Sequence, residues 1–263
     1  MAVIRYLVTN NQILNKQIII NNLLVNYYYL SKKKSFKTLV FLHGWGVDSK
    51  LWFKVLPELI KKNYSLYFLD LPGFGQSQIP NTTYDVDDYK KIVYGFVKKL
   101  GLKNIYLIGH SFGGRITIKL AAENPEFLEK IILVDTAGIV TASKIKKISA
   151  MIAKTISPIF RPSFMQPLRK KLYFLLGSEY LENEKLSEIF SKVVSENLTR
   201  LLTRIKKPTL IIWGGNDKVT PLYYGQLMSK LIPKSKLVVF EKAGHFSFLD
   251  APEEFVRTLT EYI

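Results

Sequence analysis

A chain of 263 residues, almost half of them hydrophobic, is long enough to bury one large α/β core or two small ones. It has no cysteine, which excludes disulfides, thiol nucleophiles and cysteine-based metal sites, and its three histidines (His43, His110, His245) show no ligand spacing, so neither metal nor cofactor is expected. The net charge of +17 favours approach to acidic partners or anionic surfaces, but no nucleic-acid-binding motif accompanies it, and nucleic acid is not expected as a partner.

The first nine residues lack the basic, long-apolar, small-residue order of a signal peptide. No apolar stretch approaches the roughly 20 residues that span a bilayer. A soluble, cytoplasmic protein without an integral membrane segment is therefore expected. Residues 17–20 and 23–30 read as two strands joined by Asn21-Asn22, since asparagine tolerates the positive φ of a tight hairpin. Residues 1–15 are a candidate further strand, and Lys32-Lys33-Lys34 an exposed loop.

From residue 38 a pattern of fully apolar strands followed by helices repeats down the chain. Strand 38–42 ends in His43-Gly44-Trp45-Gly46, and helical periodicity follows over 51–60. Strand 65–69 leads into Asp70-Leu71-Pro72-Gly73-Phe74-Gly75-Gln76-Ser77, then a helix over about 85–100 and a strand over 104–108. A helix starting near Gly113 and running to Asn124 precedes strand 130–134, with Asp135 at its end. After residue 204 come strand 209–213, a helix from Pro221 to about Leu231, strand 236–240 and a last helix from Pro252. Such alternation predicts an α/β fold, a mostly parallel, doubly wound sheet of about eight strands. Ligands of such sheets bind outside the carboxyl ends of the strands. His43, Asp70, Ser111, Asp135, Asp217 and His245 all follow strand ends.

Residues 137–204 break the alternation. They carry helical patterns interrupted by Pro158, Pro162 and Pro167, and read as a helical cap, or lid, inserted into a core made of residues 1–136 and 205–263.

The stretch Gly109-His110-Ser111-Phe112-Gly113 has the G-x-S-x-G spacing of a nucleophile elbow, in which a strained turn exposes a serine hydroxyl beside a helix N-terminus. A serine needs a base within hydrogen-bond reach. His110 adjoins Ser111, so its side chain diverges from the hydroxyl. His245, in the loop after the last strand, is the expected base. Asp217, after the penultimate strand, gives the order serine, acid, histidine that accompanies such elbows; Asp135 is the rival acid. Asp70 is expected to close its Pro-Gly turn through backbone N–H groups. The backbone N–H groups of Phe112 and Trp45 are candidate oxyanion donors, Gly44 and Gly46 letting the second come close to a substrate.

With these segments in view, the chain from about residue 17 to its end resembles the α/β-hydrolase fold family. The matching stretches are 43–46, 70–77, 109–114, 214–221 and 244–252. The resemblance implies Ser111 as nucleophile, Asp217 as acid, His245 as base, and Trp45 and Phe112 as oxyanion donors. Serine at the elbow separates the chain from the dehalogenase and epoxide-hydrolase branches, which place aspartate there. His43 to Gly46 and Asp70 to Gly75 are also similar to the carboxylesterase that demethylates pimeloyl carrier protein, whereas His110 and Phe112 stand where that enzyme has tryptophan and leucine.

Within the predicted cap, Ile145, Ile148, Ile152, Ile156 and Ile159 recur at helical spacing, while Lys144, Lys146, Lys147 and Lys154 fall mainly elsewhere. That basic side could meet an acidic carrier protein or an anionic surface. His43, Met151, Phe160, Phe164, Met165 and Phe246 are candidate pocket-lining residues. An apolar pocket suits short to medium acyl esters, and lactones, being cyclic esters, fall to the same machinery. The expected function is that of a serine carboxylic ester hydrolase, a small-molecule esterase with plausible lactonase activity. Thioester or carrier-protein ester hydrolysis, carbon-carbon bond hydrolysis and ligand binding without catalysis are the alternatives.

Overall fold

The computed structural model describes residues 13–32, 35, 37–140 and 183–263. Eight strands make one sheet in the order β1-β2-β4-β3-β5-β6-β7-β8. β1 (Leu14–Ile20) and β2 (Leu23–Leu30) form an antiparallel hairpin whose turn residues Asn21 and Asn22 have φ of 50° and 60°. Both values are those a type I′ turn demands. β2 then pairs antiparallel with β4 (Ser65–Leu69), and from there β4, β3 (Thr38–Leu42), β5 (Ile105–His110), β6 (Leu128–Val134), β7 (Thr209–Gly214) and β8 (Ser235–Phe240) are all parallel.

Every residue of β4, β5 and β7 is buried. Their continuous apolar runs follow from that, because a central parallel strand is covered on both faces. Alternate residues feed two separate cores: Leu107, Ile131 and Ile211 pack with Ile92, Phe96 and Ile116, whereas Ile108, Ile132 and Ile212 pack with Trp52, Phe248 and Phe255. The first core is sealed by α2 (Val86–Lys99) and α3 (Phe112–Ala122), the second by a 3₁₀ turn (Ser49–Lys54) and α8 (Pro252–Tyr262). α2 opens on a reciprocal capping box between Asp85 and Asp88 and closes with Lys98 and Lys99, both favourable to the helix dipole.

The helix expected over 51–60 is not continuous. It divides into the 3₁₀ turn and a short α1 (Leu56–Leu59), separated at Val55. Pro57 explains the break: inside one helix it would clash with the preceding turn and leave a carbonyl without a donor, while in the first turn of a new helix no N–H is needed. Trp52, Phe53, Leu56 and Leu59 are still all buried, so the apolar period was correct and only its continuity was not. The elbow strand extends two residues beyond the expected end, to His110, which leaves Ser111 alone to make the turn.

The candidate strand of residues 1–15 falls outside the described residues, save that β1 begins at Leu14. Of the span 137–204, residues 141–182 are likewise outside them. The described remainder contains α4 (Glu184–Ser195) and α5 (Thr199–Leu202), followed by β7. Two more helices, α6 (Leu222–Leu231) and α7 (Ser247–Asp250), complete the core. The carboxyl ends of β3 to β8 share one edge of the sheet, and the loops there carry His43, Asp70, Ser111, Asp135, Asp217 and His245 in chain order.

Candidate active site

Ser111 connects β5 to α3 with φ 48° and ψ −105°, a conformation that costs a non-glycine residue about 1–3 kcal/mol. The surroundings hold it there. Its N–H donates to Val134 and its carbonyl accepts from Gly114 and Ala137. The flanking glycines are required by close approach: a Cβ at Gly109 would lie 2.4 Å from Thr117 Oγ1, and one at Gly113 2.5 Å from the Leu42 carbonyl.

The hydroxyl so presented is 3.0 Å from His245 Nε2, and His245 Nδ1 is 2.8 Å from Asp217 Oδ2. A carboxylate accepts only, so Nδ1 carries the proton and Nε2 presents its lone pair to the serine. Asp217 has no other freedom. Its Oδ1 accepts from the N–H groups of Val219 and Thr220, and its Oδ2 also lies 2.7 Å from Thr220 Oγ1. Burial acts to raise this carboxyl, but the hydrogen bonds from His245 and Thr220 and the His245 charge outweigh it, and the group lies below its ordinary value.

Asp135 is close by and differently engaged. It is fully buried; Oδ1 accepts from the Gly214 N–H, and Oδ2 from the N–H and hydroxyl of Ser247. Burial pushes it up to about 7 against those hydrogen bonds. Its carboxylate oxygens bond Gly214 and Ser247 rather than His245, on which it acts through charge alone. The rival acid thus ties together the loops that carry Asp217 and His245.

The N–H groups of Trp45 and Phe112 have no acceptor among the described residues, and the Phe112 group opens α3, where no carbonyl of the helix can reach it. A bond from Gly113 N–H to the His43 carbonyl, 3.1 Å, holds the two segments side by side. The Trp45 ring packs against Phe74, Phe112 and, from α4, Phe190, giving an aromatic wall next to the serine.

His43, expected to line the pocket, is held by contacts within the scaffold. It is fully buried; its Nε2 accepts from Leu71 N–H, its Nδ1 lies 2.7 Å from the Gly44 carbonyl, and burial lowers its basicity. With both nitrogens engaged it fastens the turn after β3 to the loop after β4. Asp70 accepts from the N–H groups of Ser49 and Gln76 and from Asn26 Nδ2, a structural anchor as expected. Phe246 is partly exposed and packs against His110 and His245. The expected lining residues Met151, Phe160, Phe164 and Met165, and the basic stretch with them, lie outside the described residues.

Sequence reasoning passed over Thr220 and Ser247, which stand three and two residues beyond Asp217 and His245. That short spacing to an acid or base was the available signal. It also missed Arg115, one of two cations in an otherwise apolar helix, which is buried and donates to the carbonyls of Glu196 and Val194. Arg115 fixes the end of α4 to the elbow helix. Burial brings it down to about 10 even though Glu196 opposes the shift.

Among the described residues no cluster of histidine and acidic side chains could hold a metal ion, and no helix is long and apolar enough to cross a membrane. The sequence pattern of the alpha/beta hydrolase family matches residues 39–258. The chain is 27% identical to a pimeloyl-[acyl-carrier protein] methyl ester esterase of Legionella pneumophila, over 89% of this chain and 98% of that one. It is 26% identical to a 2-hydroxy-6-oxononadienedioate/2-hydroxy-6-oxononatrienedioate hydrolase of a Pseudomonas species, over 86% and 88% of the two chains. Among solved structures, an esterase from Exiguobacterium antarcticum superposes with a TM-score of 0.77 at 25% identity, covering 95% of this chain and 99% of that one.

Proposed function

The chain belongs to the α/β-hydrolase family and is a hydrolase of that superfamily, and from that premise we propose that it is a serine carboxylic ester hydrolase working through an acyl-enzyme. The observation that carries the reading is His245 standing between Ser111 Oγ at 3.0 Å and Asp217 Oδ2 at 2.8 Å. Ser111 Oγ attacks the ester carbonyl while His245 Nε2 takes its proton. Asp217, kept ionised by its donors, stabilises the imidazolium and holds the tautomer. The N–H groups of Trp45 and Phe112 receive the oxyanion; one such donor is typically worth about 2.7–4 kcal/mol in the transition state. Collapse expels the alcohol, which takes the proton from His245. Water then repeats the sequence against the acyl-serine and frees the acid.

The aromatic wall of Trp45, Phe74, Phe112 and Phe190 supports an apolar acyl group of short to medium length, and a lactone would be opened by the same steps. The span 137–204 acts as a lid in this reading, anchored at its return by Arg115. Two relatives mark the principal alternatives: carrier-bound esters, from the Legionella enzyme, and carbon-carbon bond hydrolysis, from the Pseudomonas one.

A series of p-nitrophenyl esters of rising acyl length, hydrolysed by the wild-type protein and by Ser111→Ala, tests the reading. Activity should peak at one length and fall by about 10⁴-fold or more in the variant. Equal hydrolysis by the two proteins would refute it.

A further inference from the structure

His110 precedes the serine in the chain and has no part in the steps above, yet it is buried to within 1% and directed at the base. Its Nε2 lies 2.8 Å from the backbone carbonyl of His245. A carbonyl accepts only, so Nε2 carries the proton and Nδ1 is left as a lone pair, which has no partner. Trp52, Phe246 and Phe248 enclose the ring. Burial first, and then the neighbouring His245, lower it to about 3, so it stays a neutral donor through the range in which an esterase works.

No other donor among the described residues reaches the His245 carbonyl. On either side of it the loop is held by different groups: Asp250 accepts from Gly244 N–H, and Asp135 accepts from Ser247 N–H and hydroxyl. Each of those contacts fixes a neighbour of His245. Asp217 and Thr220 hold the His245 ring, but among the described residues only His110 bonds the His245 backbone, and it does so from the residue adjoining the nucleophile. An apolar side chain would fill the same hole, but would leave a partly buried carbonyl without its donor and the base free to drift from Ser111.

We propose that His110 is a positioning residue for the reaction: its Nε2–H, bonded to the His245 carbonyl, sets the backbone from which the general base reaches Ser111. The inference rests on the serine-hydrolase reading. Displacements of about 1 Å at such a base cost on the order of 10²-fold in rate. Binding of the substrate does not use this hydrogen bond, so the loss falls on kcat.

The test compares His110→Phe, which fills the space without a donor, with His110→Gln, which keeps an N–H, and with Ser111→Ala. Thermal unfolding and p-nitrophenyl ester kinetics are measured on each. His110→Phe should lose about 10- to 100-fold in kcat with KM within about twofold, and His110→Gln should recover most of that rate. The two scales should cross, because the apolar cavity stabilises phenylalanine over glutamine: the more stable variant is the slower one. A role in packing alone would make activity follow stability, and wild-type kcat in His110→Phe, or no advantage for His110→Gln, overturns the proposal. If His110→Phe does not fold, His110→Leu takes its place under the same criteria. Loss of the His110 effect with an inactive Ser111→Ala condemns only this inference, whereas an active Ser111→Ala condemns the hydrolase reading beneath it.

Discussion

Two aspartates end adjacent strands of the same sheet, both buried and both near His245, and their surroundings give them opposite character. Asp217, after β7, has one oxygen filled by backbone N–H groups and offers the other to His245, and its carboxyl is held below the ordinary value. Asp135, after β6, spends both oxygens on Gly214 and Ser247 and is raised to about 7. Position at a strand end makes a carboxylate available to the site. The donors that reach it first decide whether it serves the base or the scaffold.

The largest break in that contrast is Asp217→Asn. With the acceptor lost, His245 is no longer held in the tautomer that presents Nε2 to the serine, and kcat should fall by about 10⁴-fold. Asp135→Asn should cost far less, about 10- to 100-fold, because it disturbs only the loops that Asp135 joins. Steady-state ester kinetics on both variants check this, and equal losses would mean that the two acids share the role.

A smaller effect lies in the pH dependence of stability. The folded value of Asp135, about 7, exceeds its ordinary 3.8, so between those values the folded state binds more protons than the unfolded one, and stability falls as pH rises from about 4 to 7. For Asp217 the folded value is depressed, so its contribution is present above 3.8 and is lost as pH falls through the folded value. Urea unfolding across pH 3–8 should therefore show that Asp135→Asn flattens the decline toward neutrality. Asp217→Asn should remove the loss in acid. A wild-type slope between pH 4 and 7 in Asp135→Asn would contradict the raised carboxyl.

Much of this was legible in the sequence because it is local. A strand buried on both faces must be apolar throughout, so β3 to β7 were readable within one or two residues of their ends. The Asn21-Asn22 turn and the glycines around Ser111 were readable because backbone geometry there admits few residue types. What escaped depends on contacts between distant segments. That His43 also accepts a hydrogen bond from Leu71, in the next strand's loop, is not visible in the spacing around it. The partners that distinguish Asp135 from Asp217 come from residues 79 and 112 positions away for the first and chiefly from within three residues for the second. Spacing along the chain could favour Asp217 but could not show what keeps Asp135 from His245. The break at Val55 was foretold by Pro57, a local signal that the apolar period masked.

The account turns on Ser111 as the nucleophile, with His245 and Asp217 behind it. Diethyl p-nitrophenyl phosphate tests this directly, since it phosphorylates an activated serine and releases one p-nitrophenol per site. One equivalent should be released as ester hydrolysis disappears, with the added mass on the peptide that contains Ser111 and with labelling strongly slowed in Asp217→Asn. Label on another residue, or full hydrolysis surviving stoichiometric labelling of Ser111, would contradict it.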